Sequence, residues 1–219
     1  MFERPLTRRA WLGSAVVTAL GLAGLEARES DAASVSCILT PEQTEGPYYI
    51  AGEKFRRNIT DGRPGTPLLL RAFVVDATTC RPIRNAAVDI WHADAGGVYS
   101  GFGAGASSRT FMRGIQRTNA KGLALFRTIY PGWYQGRTVH IHVKVHAGGS
   151  VVHTGQLYFP DTVTDAVYRR APYSTRPRRD VRNATDSVYR NGGSKSVVKV
   201  KRNSAGVYVA TITMGVKRS

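Results

Sequence analysis

The chain has 219 residues, and 31 Lys+Arg against 15 Asp+Glu give a formal net charge of +16. That length can bury one sizeable core, and 42% hydrophobic with 21% charged residues excludes a disordered or fibrous chain. No apolar run reaches the ~20 residues of a membrane-spanning helix, which excludes stable membrane insertion, and the positive field favours anionic partners without choosing among them.

Residues 1–33 read as a leader rather than as part of the fold. Thr7-Arg8-Arg9-Ala10-Trp11-Leu12 precedes an apolar stretch from Ala10 to Leu25, and Ala32-Ala33 closes a small-residue region. Paired arginines before a moderately apolar, Ala/Gly-rich segment are similar to a twin-arginine export signal. Cleavage after Ala27 and after Ala33 both stay open. Export in that manner carries folded proteins. Cys37 and Cys80 are the only cysteines, and an even count in an exported chain is expected to form one disulfide.

From residue 34 to 219 a single domain is expected. Leu68–Val75, Ala87–Trp91, Gly122–Ile129, Thr138–His146, Val197–Lys201 and Val207–Met214 read as strands by alternation or by a short apolar run. Asn119-Ala120-Lys121-Gly122, Pro131-Gly132, Gly148-Gly149 and Asn191-Gly192-Gly193 supply turns between them. No long stretch after the leader carries a helical period. The expected class is all-β, a single-domain β-sandwich. Cys37–Arg63 and Val163–Arg190 lack strand pattern and are too long for hairpins, so they are expected to wrap the core or carry function. The basic C-terminal region reads as a solvated face, because no nucleic-acid module accompanies it.

The chemistry concentrates in Tyr130-Pro131-Gly132-Trp133-Tyr134-Gln135-Gly136-Arg137-Thr138-Val139-His140-Ile141-His142. Residues two apart on a strand share a face, so His140 and His142 project together as half of a transition-metal site. A carboxylate beside them would suggest zinc or ferrous iron, but tyrosine is what lies nearby. A deprotonated phenol is a hard anionic donor that suits Fe(III). The pair alone is weak evidence for a metal, since both could be hydrogen-bonded structural histidines. His92, His146 and His153 read as ordinary structural or surface residues.

Four blocks carry a resemblance. Thr44-Glu45-Gly46-Pro47-Tyr48-Tyr49, the run Asp89-Ile90-Trp91-His92-Ala93-Asp94-Ala95-Gly96-Gly97-Val98-Tyr99, the Pro131–His142 run and Gly155-Gln156-Leu157-Tyr158-Phe159 occur in this order. Together they resemble the intradiol ring-cleavage dioxygenases. The resemblance implies a transthyretin-like sandwich with long irregular loops around the metal. It implies one Fe(III) per chain, held by Tyr99, Tyr134, His140 and His142, with hydroxide or water as a fifth ligand. Tyr134 and His142 would be axial, Tyr99 and His140 equatorial. Arg137 matches the arginine that steadies negative charge on the ring, Gln156 a glutamine beside the metal, and Tyr48 and Tyr49 pocket walls. The implied reaction is insertion of O2 between the two hydroxyl-bearing carbons of a catechol, giving a cis,cis-muconic acid.

Two departures from the better-known members matter. The Tyr134–His140 interval is short, which is expected to open the pocket and remove wall for a dedicated carboxylate clamp. No long helical N-terminal region is present to join subunits, so monomer and homodimer both stay open. A second class of function also stays open: a non-catalytic sandwich whose basic surface holds anionic or carbohydrate polymer.

Overall fold

The computed structural model describes residues 39–103 and 105–217. Residues 1–33, read from the sequence as an export leader, lie outside the described residues, as does Cys37. Cys80 is described and carries no free thiol. No helix among the described residues is long and apolar enough to cross a membrane.

Eight strands form two four-stranded sheets: β1 (Pro67–Asp76), β2 (Ala87–Trp91), β3 (Arg113–Arg117), β4 (Leu123–Ile129), β5 (His140–Ala147), β6 (Ser150–Tyr158), β7 (Lys199–Arg202) and β8 (Tyr208–Val216). The first sheet runs β4-β1-β8-β7 and the second β3-β2-β5-β6. All pairings are antiparallel except β1 with β8. The expected all-β sandwich is what forms. Alternation sets the core: Leu68, Leu70, Ala72 and Val74 of β1 and Ala210, Ile212 and Met214 of β8 join Val88, Ile90, Ile141, Val143, Val145 and Leu157 in one hydrophobic cluster. Each fully buried aliphatic side chain there contributes about 1.5–3 kcal/mol of transfer free energy.

β5 is buried on both faces. Its odd-numbered Ile141, Val143 and Val145 enter the core, and its even-numbered His140, His142 and Lys144 face the other way. Residues 39–63 cover that outer face and stitch the sheet edges. Leu39 bridges Gly215, Phe55 bridges Ile115 and Asn58 bridges Arg127. The polar, pattern-free segment thus shields a polar sheet face from water.

Two elements depart from the sequence expectation. β3, Arg-Gly-Ile-Gln-Arg, carries one apolar side chain and forms because β2 pairs with it from Ala87↔Arg117 to Trp91↔Arg113. β6 begins at Ser150, earlier than the glutamine block, because Gly148 and Gly149 adopt positive φ and close a hairpin onto β5. The irregular region after β6 includes two short helices, α1 (Asp161–Tyr168), which buries Thr164 and Val167, and α2 (Ser187–Arg190).

Candidate active site

His140 and His142 occupy alternate positions on β5 and bring their Nε2 atoms to 3.0 Å. His140 Nδ1 lies 2.7 Å from the Thr138 carbonyl oxygen. A carbonyl only accepts, so Nδ1 carries the proton and Nε2 keeps its lone pair. Tyr134 Oη approaches the same Nε2 at 3.2 Å. Tyr99 reaches the cluster from the loop after β2, its ring 5.5 Å from Tyr134 and 6.1 Å from His142, centroid to centroid. The four residues expected from the sequence as a donor set are therefore brought together.

The electrostatics suit a cation. Burial, reinforced by the Arg137 charge, pushes His140 down to about 3. Burial and then His140 itself hold His142 well below the ordinary value. Both imidazoles are neutral and able to donate lone pairs. Burial also pushes the phenols of Tyr99 and Tyr134 up, with the Arg137 charge opposing it. Phenols in that state keep their protons in the free protein and would lose them, to solvent or another base, only when a strong Lewis acid binds the oxygen. Among the described residues no three His, Cys, Asp or Glu side chains cluster for a metal. A metal site here must draw on the phenol oxygens. Two neutral nitrogens and two phenols fit a hard trivalent ion, whose charge offsets two phenolates.

A second set of contacts holds the rim. Arg137 Nε donates to Asp186 Oδ2 at 2.9 Å, and its Nη2 donates to Gln156 Oε1. Asp186 also accepts from the Thr138 and Tyr189 backbone N–H groups, both at 2.8 Å. Gln156 Nε2 donates to the Thr44 carbonyl at 3.0 Å, tying β6 to the covering segment. Gly46 lies in that segment at φ +69, where a Cβ would sit 3.2 Å from His142 Cε1. A side chain at this position would be strained and would press on the imidazole.

The aromatic residues divide. Tyr48 stacks on Tyr99 at 4.3 Å with 14° between planes and meets Tyr134 edge-on at 6.0 Å. It is a wall of the donor cluster. Tyr49 turns away: its ring packs on Trp91 at 4.8 Å, and Lys144 Nζ sits 3.8 Å from its centroid. Trp91 stacks on His142 at 4.9 Å and 6°, so Tyr49 supports the site through an intervening indole. Behind it Asp89 is buried, which raises its carboxyl to about 7. His92 is buried, with Nδ1 2.8 Å from Ala93 O and Nε2 2.8 Å from Thr128 Oγ1.

Sequence reasoning missed Asp186, Trp91 and the Thr138 carbonyl. Asp186 left one signal: it precedes Ser187-Val188-Tyr189, and its side chain caps that short helical turn through the Tyr189 N–H.

The family model described as "Dioxygenase" matches residues 44–178. Catechol 1,2-dioxygenase 2 of Acinetobacter lwoffii is 34% identical over 132 residues, covering 50% of this chain and 47% of the relative. Catechol 1,2-dioxygenase of Acinetobacter baylyi is 32% identical over 156 residues, covering 59% and 50%. The chain thus spans about half the length of the curated relatives it matches. Among solved structures, an intradiol ring-cleavage dioxygenase from Tetranychus urticae superposes with a TM-score of 0.79 at 35% identity, over 83% of this chain and 95% of that one. The dioxygenase domain of a dioxygenase carbohydrate-binding protein fusion from Streptomyces sp. SirexAA-E superposes with a TM-score of 0.65 at 32% identity, over 83% and 100%.

Proposed function

Because the chain belongs to the intradiol ring-cleavage dioxygenase family, we propose that it cleaves catechol-type aromatics with O2 between the two hydroxyl-bearing carbons, yielding cis,cis-muconic acids. The observation that carries this reading is that His140 Nε2 meets both Tyr134 Oη, at 3.2 Å, and His142 Nε2, at 3.0 Å, with Tyr99 beside them. One Fe(III) held by Tyr99, Tyr134, His140 and His142 would supply Lewis acidity and chelation of both catechol oxygens.

The remaining chemistry falls to the chain's own residues. Tyr134, the half-buried member of the pair, would be a phenolate while it holds the iron and would then take a catechol proton at Oη as substrate docks. Arg137 is held flat by Asp186 on one side and Gln156 on the other, so its charge is fixed before the ring arrives. A preorganised planar cation lowers the cost of negative charge developing on the ring. Tyr48 and Tyr99 provide a flat apolar wall against which an aromatic substrate can stack.

Substrate choice follows from the same contacts. Arg137 is the one cation between Tyr134 and His140, and it is already engaged by a carboxylate and an amide. That segment offers no free clamp for a ring carboxylate. Catechol and alkylcatechols are the favoured substrates under this reading, and protocatechuate a poor one. We also propose export by the twin-arginine route and a Cys37–Cys80 disulfide, supported by the leader and by the absence of a free thiol at Cys80.

The test combines iron analysis, visible absorption and O2 uptake on catechol, methylcatechol and protocatechuate. About one iron per chain, a tyrosinate-to-iron band and fast uptake with catechol are expected. A colourless protein with full zinc occupancy and undiminished activity would overturn the metal and the mechanism. Protocatechuate far outrunning the others would overturn only the substrate claim. A mature protein with two alkylatable thiols would exclude the disulfide.

A further inference from the structure

Six arginines fall between residues 169 and 182. Five of them, Arg169, Arg176, Arg178, Arg179 and Arg182, line a cavity of about 550 Å3 together with Asp165. Tyr168 and Tyr173, stacked at 5.1 Å and 10°, form its apolar side. A second cavity of about 280 Å3 shares Arg176 and adds Arg63. Both lie behind the 133–138 loop, since Arg176 sits over Trp133 at 4.6 Å and Asp180 accepts from the Gly136 N–H at 2.9 Å. None of the donor-cluster residues lines either cavity.

The charges in the larger cavity are unequal in their commitments. Arg179 pairs with Asp161 at 2.5 Å and Asp165 at 2.8 Å, and Arg182 pairs with Asp165 at 2.6 Å. These pairs hold one wall. Arg176 donates to the Ala95 carbonyl at 3.2 Å and meets no carboxylate. Arg169 and Arg178 are exposed, and their side chains make no hydrogen bond or ion pair among the described residues. Five arginines thus line the cavity with one carboxylate, Asp165, while Asp161 pairs with Arg179 from outside it, in a concave space whose low-dielectric walls focus the field.

We propose that this cavity is a binding site for a small organic polyanion, a molecule with at least two carboxylate or phosphate groups. Guanidinium forks match both groups bidentately. The volume lies in the range of about 300–1,000 Å3 typical of small-molecule sites. A single negative charge meets only part of the Arg169, Arg176 and Arg178 set, so at least two are required. The proposal does not depend on the reaction assigned to the donor cluster.

Calorimetric titration of the metal-loaded protein tests it, with tricarballylate, fructose 1,6-bisphosphate and acetate as probes. At least one polyanion should bind at one site per chain, about tenfold or more tighter than acetate. Arg169→Ser/Arg178→Ser should weaken that binding about tenfold or more with the melting temperature retained, since neither side chain holds a partner. Lys199→Ser/Lys201→Ser, on the exposed side of β7, removes equal charge elsewhere and should leave affinity unchanged. Tighter tricarballylate points to a polycarboxylate ligand and tighter bisphosphate to a phosphorylated one; either supports the site. Polyanions binding no tighter than acetate would overturn it. So would unaltered affinity in the arginine variant, or equal losses in both double variants.

Discussion

Asp186→Asn keeps the shape of a side chain that is fully buried while removing its charge and one acceptor oxygen. In the native chain Oδ2 accepts from Arg137 Nε and the Thr138 N–H, and Oδ1 accepts from the Tyr189 N–H. An amide has one oxygen, so one side of this arrangement must face an NH2 group. The cheaper choice keeps oxygen toward Arg137 and sacrifices the Tyr189 cap, at about 1 kcal/mol. The Arg137 contact also falls from an ion pair to a cation–neutral hydrogen bond, at roughly another 1 kcal/mol. Leaving the guanidinium without its counter-charge adds to this, moderated because Arg137 is 17% exposed. The expected loss is about 2–4 kcal/mol, read by urea unfolding at pH 7. Burial alone would push the Asp186 carboxyl up, but Arg137 and the two backbone N–H groups hold it below its ordinary value. Its contribution is therefore present above the ordinary carboxylate range and lost as pH falls through the depressed value. The gap between parent and variant should narrow in acid. A variant within about 0.5 kcal/mol of the parent at pH 7 would refute this account of the rim.

Tyr134→Phe should lower catechol turnover about a hundredfold or more, the range for losing a positioned proton carrier, and O2 uptake near the parent rate would remove Tyr134 from the chemistry. Gly132→Ala would place a Cβ 2.3 Å from the Asp94 carbonyl and 2.6 Å from that of Ala95, so denaturant unfolding should show a loss of about 1–3 kcal/mol or more. His92, held at about 4 by burial, takes its proton near 6.5 once unfolded. Its neutral form stabilises the fold above that value, and roughly 3 kcal/mol should fade as pH falls from about 6.5 toward 4. His92→Asn should flatten that limb of the stability profile, and an unchanged slope would assign the limb to other groups.

What could be read from the sequence follows the reach of local periodicity. The β1 run and the paired histidines share one cause, the two-residue repeat of a strand, which sorts side chains to faces without knowledge of the partner strand. β3 escaped because its single isoleucine carries no repeat and its Arg113 looks like a surface residue. In the fold Arg113 is 1% exposed, with its guanidinium on the Ser100 carbonyl. The tyrosines beside the histidines have no periodic relation to them and were legible through family blocks alone. Asp186 stands 49 residues from Arg137, and no local rule couples a cap on a short turn to an arginine on another loop.

The basic C-terminal region shows the same boundary from the other side. Counted along the chain, its arginines look like one solvated face, because composition records charge but not curvature. The fold separates them into different roles. Arg179 and Arg182 are spent on Asp161 and Asp165, Arg176 lies on Trp133, and Arg169 and Arg178 are left facing one cavity. Pairing with two aspartates fixes one wall, and a fixed wall is what turns unpaired charges opposite it into a concave site rather than a flexible fringe. Recognition here depends on which arginines are neutralised as much as on how many there are. That partition is a property of tertiary closure, which brings α1 against residues 179–182 through Asp161 and Asp165.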